Sequence, residues 1–107
     1  MGGSLKTKKN KSPTFLVWAM ADAQGTNLQR VQIIKGWLDN GESKEKVYDA
    51  TCSDGLEVDK SSHRCPDNGA KVNLNDCSIS KNKGSRELKT LWKDPEFIED
   101  QEAFYYV

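Results

Sequence analysis

The sequence predicts a mainly β domain, an antiparallel sheet or small β-sandwich with one short helix at about 85–93. Three observations predict it. Two hydrophobic runs, Thr14–Met20 and Leu28–Leu38, are rich in β-branched and aromatic residues. Asp39-Asn40-Gly41 follows the second run and is a strong hairpin signal, because Asn and Gly tolerate positive φ. Ser53–Ala70 then collects Asp54-Gly55, Pro66 and Asp67-Asn68-Gly69, which is turn chemistry rather than a periodic element.

Taken in order, Pro13 marks the entry to ordered structure. In Thr14–Met20, Phe15, Val17 and Ala19 share one face while Leu16, Trp18 and Met20 share the other, so the strand is expected to be covered on both sides. Asp22–Asn27 reads as a turn. In Leu28–Leu38 the alternation breaks at Ile33-Ile34, which fits a bulge or a second doubly covered strand. A third strand runs over about Glu45–Cys52, and the first three strands are expected to form a meander. After the long loop, Lys71–Leu74 and Cys77–Ser80 suit short strands. Ser85–Lys93 is expected to be helical: Ser85 caps it, Leu88, Leu91 and Trp92 recur at helical spacing, and Pro95 stops it. Ala103–Val107 is an aromatic strand. A chain that stops inside such a strand reads as a fragment of a larger protein, with an uncovered edge that invites self-association.

At 107 residues, one domain is expected over 13–107, and residues 1–12 read as a disordered tail or cloning remnant. Apolar residues make up 36% of the chain and mean hydropathy is -0.78, so the core is small and the loops are long. Sixteen basic and sixteen acidic residues cancel, which removes any bulk electrostatic case for a nucleic-acid partner. Lys6, Lys8, Lys9 and Lys11 make only the tail basic. No apolar run approaches the roughly 20 residues that a membrane-spanning helix needs.

Three cysteines allow one intramolecular disulfide and leave one thiol over. Cys52 with Cys65 is the expected pair, a staple across the Ser53–Arg64 loop, and Cys77 is the unpaired thiol. Two other readings stay open at this level: three reduced cysteines in a cytosolic protein, or zinc held by Cys52, His63, Cys65 and Cys77 in an uncommon spacing without a C-x2-C pair. Asp54, Asp59, Asp67 and Asp76 have the chemistry for calcium but not its loop pattern. His63 is the single histidine, and neither a G-x-S-x-G elbow nor a phosphate-cradling glycine loop occurs. The residues therefore nominate no catalytic, cofactor-binding or metal site. Trp18, Trp37, Trp92, Tyr48, Tyr105 and Tyr106 offer a sugar-stacking platform, against which stand the core-like positions of Trp18, Trp37 and Trp92.

The motifs NLQRVQIIKGW, HRCPDNGAKVNL, ELKTLWKDPEF and AFYYV, in that order, closely resemble a segment of the bacterial domain-of-unknown-function 3604 family, over Ser12–Val107. The resemblance implies a piece of the carboxy-terminal region of large, exported proteins similar to metal-dependent hydrolases of the polymerase-and-histidinol-phosphatase type. The hydrolase-like ligands of that family lie upstream, and none maps onto a residue here. It also implies a continuation past Val107, in some members with a further cysteine suited to Cys77. The expected function is thus a non-catalytic accessory or scaffold domain, periplasmic or secreted, partnered by the rest of a parent chain or by itself. The alternative is a stand-alone module that binds a glycan or a protein.

Overall fold

The structure, a computed structural model, describes residues 2–7 and 11–107. Part of the expected tail, Met1 and residues 8–10, lies outside the described residues. Five strands make up the fold: β1 (Thr14–Met20), β2 (Arg30–Asp39), β3 (Glu42–Cys52), β4 (Glu87–Lys93) and β5 (Ala103–Tyr106). They form two antiparallel sheets, β1–β4 and β3–β2–β5. The chain is mainly β, as its alternating runs require.

The β2–β3 hairpin follows directly from its turn residues. Asp39 pairs with Glu42, so Asn40 and Gly41 form a two-residue loop, with φ of 50° and 82°. Positive φ at both positions matches the twist of the flanking strands. The ladder is broken between Val31 and Gln32 rather than at Ile33-Ile34, where the broken alternation fitted either a bulge or a doubly covered strand.

Three other expectations are corrected. Glu87–Lys93 is a strand, not part of a helix at 85–93. Leu88 and Trp92 lie four apart, a spacing that suits one helix face and one strand face equally; pairing with β1 decides between them, and Leu91 then points outward. β1 pairs with β4 rather than β2, so the first three strands are not a meander. Lys71–Leu74 and Cys77–Ser80 meet only in a single bridge, Val72 to Ile79.

The two sheets face each other across a small core. Val17, Leu88 and Trp92 from β1–β4 meet Val31, Ile33 and Tyr48 from β2–β3, with Phe15, Ala19, Leu28, Ala50 and Tyr105 packed around them. Trp92 is the hub, its ring centroid 5.5 Å from Tyr48, 6.0 Å from Phe15 and 6.2 Å from Tyr105. Aromatic pairs at such spacings add about 0.5–1.5 kcal/mol each beyond the area they bury. This matters where so few aliphatic side chains are available.

Candidate functional site

The long loop after β3 is held at two points. Cys52 and Cys65 are joined by a disulfide, with Cα atoms 5.7 Å apart, and both are buried. Asp49, three positions before the β3 end at Cys52 and 2% exposed, holds the returning chain. Its N–H donates to His63 O at 2.9 Å, and its carboxylate accepts from Cys65 N (2.6 Å), Gln32 Nε2 (2.7 Å) and Arg30 Nη1 (2.8 Å). Burial pushes the Asp49 carboxyl up, but the donors from Cys65, Gln32 and Arg30 outweigh it and hold the group below the usual carboxylate range. A further strut starts at Asp54. It accepts from Ser53 Oγ (2.7 Å), Asn68 Nδ2 (2.9 Å) and Gly84 N (3.0 Å), tying the distant 80s turn to the stapled loop. Gly84 has φ of 81°, and a Cβ there would come within 2.9 Å of Leu28 O, so only glycine fits.

A second polar network sits where the turn after β4 crosses the end of the core. Lys35, 3% exposed, donates to Asp94 Oδ2 at 2.7 Å and to Glu96 O at 2.9 Å. Asp94 also accepts from Tyr105 OH (2.7 Å) and Glu96 N (2.9 Å). Two residues beyond Asp94, the Glu96 carboxylate accepts from Lys46 Nζ and from Tyr48 OH (2.8 Å), with His63 Nε2 at 3.8 Å. Hydrogen bonds from Lys46 and Tyr48 lower the Glu96 pKa. Burial, then the bond to Glu96, raises that of the Tyr48 phenol, while burial and the bond to Asp94 do the same for Tyr105. Lys46, Tyr48, His63 and Glu96 are the residue types of acid–base chemistry. Here the carboxylate is held ionised and the Tyr48 phenol protonated, so Lys46 and Tyr48 donate to Glu96, with the His63 ring beside them, at a crossing of loops.

The sign of the pH dependence follows. Carboxylates whose folded pKa is depressed, Asp49 and Glu96, contribute stability that is complete above the unfolded value of roughly 4 and is lost as pH falls through the folded value. Thermal unfolding is expected to shift steadily downward on acidification below about pH 4. Asp49→Asn is expected to flatten that slope, and calorimetry across an acid series reads both.

The cysteines named from sequence are placed plainly. Cys52 and Cys65 bond each other, so neither is a zinc thiolate in this structure, and Cys77 is exposed and free. His63 faces Tyr48 and Glu96, with its ring 5.3 Å from that of Tyr48. Among the described residues, no three His, Cys, Asp or Glu side chains converge as a metal site. Among the described residues, no helix is long and apolar enough to cross a membrane. The buried disulfide is consistent with an oxidising, extracytoplasmic location.

The surface feature that sequence reading missed lies on β1–β4. One face of this sheet packs on the core, but the other is bare: Leu16 is 70% exposed, Trp18 62%, Met20 71% and Leu91 71%. Leu16 and Leu91 are register partners, and Lys89, opposite Trp18, holds its Nζ 5.5 Å from the Trp18 ring centroid. The expectations of a doubly covered β1 and a core-like Trp18 are therefore corrected. Alternation marks which residues share a face, but it does not say whether a second layer covers that face. A contiguous apolar row of this kind, rimmed by charge, is characteristic of interaction surfaces.

No curated protein and no solved structure matches the chain. One family model, described as "Protein of unknown function (DUF3604)", matches residues 1–107, the whole chain. That match agrees with the motifs carried on β2, β4 and β5, and the chain belongs to the DUF3604 family.

Proposed function

We propose that this chain is a non-catalytic accessory domain that docks, through the outer face of β1–β4, onto the hydrolase-like portion of a larger exported DUF3604 polypeptide. The observation that carries the reading is the exposed row Leu16, Trp18, Met20 and Leu91. Burying even half of such a row is worth several kcal/mol at roughly 25 cal/mol per Å2. The polar groups supply the complement: Asp49, Asp54, Asp94 and Glu96 are engaged in holding loops. The disulfide supports a periplasmic or secreted setting.

The test is a titration of this chain with the hydrolase-like portion of a DUF3604 protein, made as a separate polypeptide and followed by calorimetry. Trp18→Lys and Leu91→Lys change exposed side chains and leave the fold intact, and each is expected to weaken binding at least about tenfold, or 1.4 kcal/mol. Undiminished binding by both variants, or substrate turnover by the isolated chain, contradicts the reading.

A glycan-binding module is the second reading, favoured by one feature. Phe104 and Tyr106 stack within 11° of parallel, and Phe104 lies over Gly36, where a Cβ would come 2.2 Å from its ring. Tyr106 OH donates to Glu45 at 3.2 Å beside them. A glycan array probed with the same protein separates the two readings.

A further inference from the structure

Sheet edges decide where a strand can be added, and the four edges here are not alike. β3 carries Glu42, Lys44, Glu45 and Lys46; β4 carries Glu87, Lys89 and Lys93; β5 is four residues long. β1 is seven residues without a charge or a proline, and β4 is its one neighbour in the sheet. The register fixes which of its backbone groups are unpaired. Ala21 N donates to Arg86 O and Asp94 N to Pro13 O. Odd-numbered positions of β1 therefore face β4, by the alternation of an antiparallel ladder. The N–H and C=O groups of Thr14, Leu16, Trp18 and Met20 point the other way, and among the described residues none of them has a backbone partner. Charged side chains guard the other long edges, and this one has none.

The two ends of that edge differ in charge. Lys11 and Lys93 flank Thr14, whereas Asp22 and Glu87 flank Met20. Arg86 lies at the Met20 end too, its guanidinium turned to the carbonyls of Asp22 and Gly25, and Lys89 pairs with Glu87 at 2.9 Å, so that end is balanced. An antiparallel two-fold reverses the strand, setting the basic end of one copy beside the balanced end of the other and keeping the two Lys11/Lys93 pairs apart.

We infer that a second copy of this chain pairs with the outer edge of β1, Leu16 lying opposite Trp18 of the second copy and Thr14 opposite Met20. Val17 then falls on the two-fold axis. All the outward groups of Thr14, Leu16, Trp18 and Met20 are satisfied, and each Leu16 meets a Trp18 on the same face, a favourable cross-strand pair. The product is a four-stranded sheet in the order β4–β1–β1–β4, whose outer face carries both apolar rows as one surface. The inference rests on the docking reading only in giving that joined surface its use.

Sedimentation of the full chain, in a Cys77→Ser background, is expected to reveal a weak dimer that grows with concentration. Leu16→Pro removes an outward N–H and no ladder bond of β1–β4, so it is expected to raise the dimer Kd at least about tenfold. Thr14→Cys/Met20→Cys is expected to give a disulfide-linked dimer on mild oxidation, since Cα atoms of a hydrogen-bonded pair lie about 5.5 Å apart. Thr14→Cys alone is expected to give none. A chain that stays monomeric at its solubility limit overturns the inference. So does a dimer that fails to crosslink through the double variant; if Leu16→Pro does not fold, the crosslink decides alone. A chain that dimerises without binding the hydrolase-like portion keeps this inference and loses the docking reading, and one that binds as a monomer does the reverse.

Discussion

Asp94→Ala is expected to destabilise the domain by about 3–5 kcal/mol, the cost of leaving one member of a buried ion pair without its partner. Lys35 stands on the inward side of β2 between Ile33 and Trp37, and its ammonium is removed from water. What makes that position tolerable is the Asp94 carboxylate at 2.7 Å, with Glu96 O completing the shell. Removing Asp94 also strips Tyr105 OH and Glu96 N of their acceptor. The loss of charge balance dominates, because a neutral donor left unpaired costs only about 1–3 kcal/mol. The double variant Lys35→Met/Asp94→Leu is therefore expected to recover at least half of the loss. Urea denaturation of wild type, single and double variants reads the difference. Equal destabilisation of the single and the double variant would place the energy in the lost hydrogen bonds instead.

The second large effect concerns the staple. Cys52→Ala/Cys65→Ala is expected to cost roughly 3 kcal/mol, the chain-entropy value for a closed loop of about 14 residues. The sequence separation is 13, and the loop it closes holds few apolar residues of its own. A core resting on six buried apolar side chains leaves little reserve, so the reduced chain is expected to melt well below the oxidised one. Cys77→Ser, at an exposed position, is expected to leave the midpoint unchanged. Paired denaturation curves with and without reductant, run on the Cys77→Ser background, check both statements.

Legibility in the sequence varied with the range of the interaction. The β2–β3 hairpin was readable because Asn40-Gly41 encodes its own backbone geometry. The disulfide was readable from the short loop between Cys52 and Cys65. The state of 87–93 was not, because Leu88 and Trp92 satisfy both periods and the partner that decides, β1, lies about seventy residues away in sequence. The Lys35–Asp94 pair spans 59 residues and left one trace, a lysine in the otherwise apolar run Ile33–Leu38 at a position facing the core. Asp49, between Tyr48 and Ala50, is a similar trace. A charge on the buried side of a strand signals a buried partner, though not which one. The bare β1–β4 face was illegible for a different reason: Leu16, Trp18 and Met20 have the composition of a covered strand, and no local rule reports that a covering layer is absent.

These observations divide the molecule into a framework and a surface. Carboxylates at 49, 54, 94 and 96 anchor loops that the small core cannot hold alone, whereas the apolar row on β1 and β4 holds nothing within the domain. The most direct test is NMR shift mapping on the isotope-labelled chain as the hydrolase-like portion of a DUF3604 protein is added. Perturbations at Leu16, the Trp18 indole, Met20 and Leu91, with Lys46, Tyr48, His63 and Glu96 unmoved, are the predicted result. Shifts confined to those four polar residues, with the Trp18 indole unchanged, would contradict the account.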